Sequence, residues 1–296
     1  MPVAIPSTLD EVVSILSDQP DATLLAGGTD AMVEINDGHR RPDGTVVALD
    51  RVTELRSWRH DPNAGDAGRG VVTIGSTVTY TELMEEPLAT LLPALAEASR
   101  TVGSPQIRNA GTLGGNLGTC SPAGDGLPVL AALDASVRLV SVEGERTVPV
   151  DEFMVGVKRT SLRPGEVIAE IEVPVRNGWQ GYAKVGVRNA MVIAIASACL
   201  IVDDARRSVG LALGSVGPTV LRCSQAEALL AERVDWASGI VDPDSLQEFG
   251  ELAAAASSPI TDHRSTAEYR RHAVRVMATR LARRAFGSDP REERAR

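Results

Sequence analysis

Twenty residues near the middle of the chain, Asn109 to Pro128 (NAGTLGGNLGTCSPAGDGLP), carry glycine at 111, 114, 115, 118, 124 and 126. That density argues against an ordinary helix or strand interior, because glycine is used where the backbone needs positive φ or must come close to a partner. Successive N–H groups in such a turn can converge into a concave anion site. Asn116, Thr119, Ser121 and Asp125 add side chains of the kind that fix sugar and phosphate oxygens. A shorter segment of the same type lies upstream, Leu24 to Ala31 (LLAGGTDA), where an apolar run ends in Gly27-Gly28 and Thr29-Asp30 opens a helix. Strand, glycine turn and helix start together make a phosphate cradle. Two cradles in one chain suit a long ligand with more than one polar segment, although tight turns without a ligand have the same spacing.

The rest of the composition narrows the choices. With 296 residues, 43% of them hydrophobic and 23% charged, the chain can bury a sizeable core and is expected to divide into two domains. Its net charge of −9 argues against nucleic acid. Any pyrophosphate must therefore be held by local N–H dipoles. Three Phe, three Tyr and three Trp give no stacking platform for single strands. Cys120, Cys199 and Cys223 are far apart and lack C-x-x-C, so they support no disulfide frame, zinc site or iron–sulfur cluster. His39, His60, His263 and His272 have no ligand spacing and read as surface or capping residues. No apolar run is long enough to span a membrane, and Met-Pro-Val-Ala-Ile-Pro lacks the regions of a signal peptide, which makes a cytoplasmic location the expectation.

Neither cradle fits G-x-G-x-x-G or G-x-x-x-x-G-K-[ST], and there is no G-x-S-x-G or paired-carboxylate constellation. Reactivity must come from a bound cofactor, or there is none. Lysine occurs only at Lys158 and Lys184, arginine carrying the other positive charges.

Local signals order the chain. Capping boxes at Thr8-x-x-Glu11, Thr79-x-x-Glu82 and Ser265-x-x-Glu268 predict helix starts. Helical patterns run over 31–36, 88–99 (with Pro93 inside), 127–133, 226–232, 246–256 and from 265 onward. Strands are predicted at 23–26, 46–49, 71–74, 166–173, 191–202 and 209–213, with a hairpin over 137–150. Residues 61–70 read as an exposed loop, Arg176-Asn177-Gly178 as a linker, and 289–296 as a frayed tail. The division expected is 1–176, 177–288 and the tail.

Taken together, LLAGGTDAM, AGTLGGNLGTCSPAGDGLP and the tail SSPITDHRSTAEYRRHAVRVM resemble the FAD-binding (medium) subunits of the molybdenum hydroxylases, which include carbon monoxide, nicotine and xanthine dehydrogenases. The likeness covers nearly the whole chain. It implies an α+β fold: an FAD-binding domain of two subdomains, of the vanillyl-alcohol-oxidase type, followed by a smaller domain of antiparallel strands and a helix bundle. Under this resemblance Leu24, Leu25, Ala26, Gly27, Gly28, Thr29, Asp30 and Ala31 wrap the pyrophosphate. Gly111, Thr112, Gly114, Gly115 and Asn116 touch the phosphate and ribityl side, and Val102 and Gly103 line the flavin site. Asp125 accepts from ribityl or ribose hydroxyls, Ile168 packs beside the flavin, and Lys184 contacts FAD. Read without the resemblance, Asp125 is as well explained as a helix cap, Val102 and Ile168 as core, and Lys184 as a surface strand residue. Many members carry an acidic residue after the stretch matching Arg188-Asn189-Ala190-Met191, near the flavin edge that meets the external acceptor; here it is Val192.

The implied role is an electron-transfer subunit whose partners are a small iron–sulfur chain and a large molybdopterin chain, in a doubled three-subunit complex. The competing expectations are a self-sufficient flavoprotein oxidoreductase and a flavin-free scaffold subunit.

Overall fold

The computed structural model describes residues 2–39, 44–65 and 70–287. Among the described residues, three main sheets follow one another along the chain, with a further two-stranded ribbon, in an α+β architecture.

The first unit runs β1 (Val3–Ala4), α1 (Leu9–Asp18), β2 (Thr23–Leu25), α2 (Ala31–Asn36) and β3 (Val46–Ala48), with the strands parallel in the order β1-β3-β2. Thr8 Oγ1 accepts from Glu11 N–H at 3.2 Å and starts α1. The returning Glu11 carboxylate takes the N–H of Ser7 at 2.6 Å, one residue earlier than the box predicts. Val12, Val13 and Leu16 close a small core with Val47, Leu49 and Val52. Edge strand β2 then delivers the chain into the first glycine turn.

In the second unit β4 (Trp58–Asp61) and β5 (Val71–Gly75) lead into five short helices. These are α3 (Leu88–Leu91), α4 (Pro93–Thr101), α5 (Pro105–Ala110), α6 (Leu113–Thr119) and α7 (Gly126–Ala132). The chain continues through β6 (Ser136–Ser141), β7 (Gly144–Pro149), α8 (Val150–Phe153), β8 (Met154–Gly156), β9 (Arg159–Thr160) and β10 (Val167–Pro174). The sheet is antiparallel in the order β4-β5-β10-β6-β7. The predicted helix over 88–99 breaks in two at Pro93, which has no N–H to extend α3 and instead opens α4. Asp61 belongs to β4, so the predicted loop over 61–70 begins later, and its residues 66–69 lie outside the described residues. His60, expected at the surface, lies half-buried in β4.

The glycine-rich middle is corrected more deeply. It was expected to avoid helix, and instead it contains α6, with Gly114, Gly115 and Gly118 inside; α7 behind it agrees with the helix predicted over 127–133 and is fully buried. Helix propensity loses here to packing, because a Cβ on Gly114 would stand 2.4 Å from Ser76 Cβ and 2.5 Å from its carbonyl oxygen.

The third unit comprises β11 (Gln180–Val185), β12 (Ala196–Asp203), β13 (Ser208–Gly214) and β14 (Leu221–Arg222), antiparallel in that order. It adds α9 (Ser224–Arg233), α10 (Pro243–Ala256) and α11 (Ala267–Ala285). All eight residues of β12 are buried because both faces of the sheet are covered. Cys199, Ile201 and Ala212 belong to the core that contains α4 and α7, whereas Ala198, Leu200 and Leu211 belong to the core of α9–α11. The predicted strand over 191–202 starts only at Ala196. Met191 sits at φ +51, and the Arg188 guanidinium curls the loop by donating to the carbonyls of Ala190 and Met191. Thr266, not Ser265, caps α11 by accepting from Tyr269 N–H at 3.1 Å. Arg176, expected in a linker, is buried and pairs with Asp134 at 2.8 Å. The expected frayed tail, 289–296, lies outside the described residues.

Candidate functional site

The two glycine segments meet. A Cβ on Gly27 would lie 1.8 Å from the carbonyl oxygen of Ala110 and 3.0 Å from Gly111 Cα, so only glycine lets the first turn rest on the start of the second segment. Beside this contact opens a cavity of about 860 Å³. Its walls come from all three units: residues 24–31 from the first, α6 and the start of β10 from the second, and Met191 to Ile193 from the third.

The two segments use their backbones differently. In the first turn, among the described residues, the N–H groups of Ala26, Gly27, Gly28, Thr29 and Asp30 donate to no protein acceptor. Gly28 is held at φ +69, the left-handed region that turns successive N–H groups toward one concavity. In the second segment the donors are already engaged. Leu113 N–H reaches Val78 O at 3.1 Å and Gly114 N–H reaches Ser76 O at 2.9 Å. Thr112 caps α6 by accepting from Gly115 N–H at 3.0 Å. What this segment offers the cavity is side chains. Asn116 Oδ1, and Ser76 Oγ from the residue after β5, are buried and have no hydrogen-bond partner among the described residues, although both residues line the cavity. Buried polar atoms are so rarely left unpaired that two on one wall point to a polar ligand.

Asp125 stands at the inner wall. Its carboxylate accepts from Tyr182 Oη–H at 2.8 Å and pairs with Lys184 Nζ at 2.6 Å, and both side chains of the pair are only 8% exposed. Lys184 Nζ also donates to Thr101 O at 3.1 Å. Burial pushes the Asp125 carboxyl above its ordinary value, against the opposing pull of the Lys184 ammonium. Burial also raises the Tyr182 phenol, and the Asp125 charge adds to it. Tyr80, across the cavity, is likewise raised by burial first and by the charges of Asp125 and Asp30 after it. Asp125 is at the N-cap position of α7 without making a side-chain cap bond, so its carboxylate serves the pair and not the helix.

Comparison with known proteins gives this constellation a family. Residues 1–176 match the model of the FAD binding domain in molybdopterin dehydrogenase, and residues 182–285 match the CO dehydrogenase flavoprotein C-terminal domain. The chain belongs to the FAD-binding subunits of the molybdopterin dehydrogenases. It is 34% identical over 237 residues to the nicotinate dehydrogenase FAD-subunit of Eubacterium barkeri, covering 76% of this chain and 77% of that one. It is 30% identical to the nicotine 6-hydroxylase medium subunit of Paenarthrobacter nicotinovorans, with 94% of each chain covered. The fold superimposes on reconstituted CO dehydrogenase from Oligotropha carboxidovorans with a TM-score of 0.86 at 29% identity, over 96% of this chain and 97% of that one.

As a member of this family the chain takes FAD, and the cavity suits it. Free backbone donors next to a left-handed glycine match a pyrophosphate, the unpaired Asn116 and Ser76 oxygens match sugar and ribityl hydroxyls, and Leu24, Val102 and Ile168 give apolar wall for a ring system.

Of the residues singled out from sequence, Leu24 to Ala31, Val102, Gly103, Thr112, Gly114, Gly115, Asn116, Asp125 and Ile168 line the cavity. Gly111 does not, because it packs against Thr29 and Tyr80 and supports the joint between the turns. Lys184 does not line it either. It is not the surface residue its strand pattern suggested, being buried and reaching the cavity through Asp125. Ile168 lies next to an irregularity between Ile168 and Glu170 in the pairing of β10 with β6, which re-aims its side chain. Sequence reasoning missed Ser76, Tyr80, Ile107 and the 162–167 stretch as cavity wall. These carry no motif, and only the pairing of β5 with β10 puts Ser76 near the site. Val192, flagged by its departure from the family pattern, lines the cavity between Met191 and Ile193. Cys120, Cys199 and Cys223 are buried and unpaired. Among the described residues no helix is long and apolar enough to cross a membrane.

Proposed function

We propose that this chain is the flavin-carrying link of a molybdenum hydroxylase, receiving electrons from a molybdenum centre through two [2Fe–2S] clusters and handing them to an external acceptor. The observation that carries the reading is the shared cavity, beside which one glycine turn leaves its N–H donors free and whose lining residues Asn116 and Ser76 carry buried, unpaired side-chain oxygens. FAD supplies the redox chemistry when bound; the protein supplies binding, orientation and shielding. Gly27 and Gly28 bring backbone donors to the pyrophosphate. Thr112, Gly114, Gly115, Asn116 and Asp125 form the opposite wall, with Val102, Gly103 and Ile168 along the ring. Lys184 acts from behind, holding Asp125 ionised and in place.

The chain offers no cysteine pattern for clusters, so the [2Fe–2S] centres and the molybdopterin belong to partner chains. A small iron–sulfur subunit and a large molybdopterin subunit complete a three-subunit unit, present twice in the cytoplasmic complex. The FAD-binding domain spans 1–176 and the C-terminal domain 177–288. Co-expression with both partners should give a yellow complex with one FAD per copy of this chain, read from the visible spectrum and from acid-released flavin. A fully assembled, colourless complex overturns the proposal.

A further inference from the structure

Helix α2 forms one side of the cavity, yet none of its six residues is buried. Met32 and Val33 are exposed. A short helix without a buried face is not fixed by core packing, which supplies most helical stability in proteins. Among the described residues, two side-chain contacts join it to the second unit. Asp30, just ahead of α2, accepts from Thr119 Oγ1 at 3.0 Å. Glu34, one turn later, pairs with Lys158 Nζ at 2.5 Å.

Lys158 lies at the tip of the β8–β9 hairpin in a left-handed conformation, φ +51. Its own N–H donates to Cys120 O at 3.0 Å, and Cys120 follows Thr119 directly. The contacts therefore close a ring: from α2 to the end of α6, across to the hairpin tip, and back to α2 through the ion pair. Asp30, Glu34, Thr119 and Lys158 all line the cavity, so the ring forms part of its rim. The Lys158 side chain is 57% exposed and the Glu34 side chain 33%. A pair this exposed is weak and screened by salt. It can bias the position of α2 and still release it. Lysine suits this better than the arginine used almost everywhere else in the chain, being a flexible point charge without a rigid fork.

We infer that α2 is a lid on the cavity and that Lys158–Glu34 is its clasp, controlling how fast FAD enters and leaves. The inference rests on the cavity being the FAD site. FAD-loaded full-length chain is diluted and flavin release is followed by its fluorescence, at low and high salt. Lys158→Glu and Glu34→Lys should each raise the release rate at low salt by about tenfold, and Lys158→Ala by about two- to fivefold, as expected for a lost or reversed exposed pair. The exchanged pair, Glu34→Lys with Lys158→Glu, should return the rate to within about twofold of wild type, and high salt should erase most of the differences. Hydrogen exchange of the α2 amides in FAD-free chain gives a second reading: it should quicken in the single variants and recover in the exchanged pair. Unchanged release in the single variants, or an exchanged pair no better than either, overturns the clasp while leaving the cofactor assignment standing. A wild-type chain that takes up no FAD overturns both.

Discussion

The two glycine turns look alike as strings of residues and behave as opposites in the fold. The first, 24–31, leaves an edge strand, keeps the N–H groups of residues 26–30 free among the described residues, and passes into a helix with no buried side chain. The second, 111–119, is a helix start whose donors go to Ser76, Val78 and Thr112 and whose Leu113, Gly114 and Leu117 are buried. Glycine in the first leaves backbone donors free beside the cavity. Glycine in the second lets a helix come against backbone, and its donors are spent within the protein. A similar composition therefore says little about which groups remain available; that depends on where the acceptors come from.

Several variants would break or sharpen this contrast. The largest effect is expected at the anchor of the second segment. Lys184→Met leaves the buried Asp125 carboxylate without its cation, which should cost about 3–5 kcal/mol at neutral pH in urea unfolding. Burial already raises this carboxyl, and losing the ammonium raises it further. An acid whose folded pKa lies above its unfolded value loses stability as pH climbs between the two, so the deficit of the variant should shrink toward about pH 4. A deficit that grows on acidification would contradict the pair.

Next come two matched alanines. Gly27→Ala drives a Cβ into the Ala110 carbonyl at the joint between the turns, and overpacking of about 1–3 kcal/mol predicts FAD affinity weakened roughly tenfold to a hundredfold. Gly114→Ala strikes Ser76 instead, and the same cost of about 1–3 kcal/mol should fall on stability, with affinity changed by less than about tenfold. Flavin titration and urea unfolding on both variants test the contrast directly; equal profiles would erase it. The smallest effect is expected at Gly28→Ala. Its φ of +69 disfavours alanine, but the nearest obstacle is the flexible Met32 side chain at 3.2 Å. A backbone penalty of about 1 kcal/mol should lower affinity about fivefold.

Much of the architecture was legible in local signals. The box at Thr8 marks a real cap; Thr79 and Glu82 bond reciprocally as the pattern requires, but only a single 3-10 turn, Glu82–Met84, follows them. The 31–36 helix and the 137–150 hairpin follow from periodicity and turn chemistry. Failures occurred where a remote contact overrode the local preference. Leu113 and Gly114 became helical where Val78 and Ser76 supply acceptors more than thirty residues away, while Gly115 donates locally to Thr112. Met191 to Ile195 read as strand by apolarity but was curled by the Arg188 guanidinium into cavity wall. At the site, motif residues were found and unmarked ones such as Ser76 and Tyr80 were not, since a wall residue needs only to face the cavity.

By itself, the sequence determined backbone possibilities: where positive φ is tolerated, where helices can start, and which strands can bury both faces. It also pointed to a bound cofactor as the source of any reactivity. Only the tertiary structure decided which N–H groups stay free, that Lys184 meets Asp125 and Lys158 meets Glu34, and that both turns open on one cavity. The physical reason is range. Conformational preference acts over a few neighbouring residues, whereas hydrogen-bond satisfaction and charge pairing are settled by partners that only folding brings within about 3 Å.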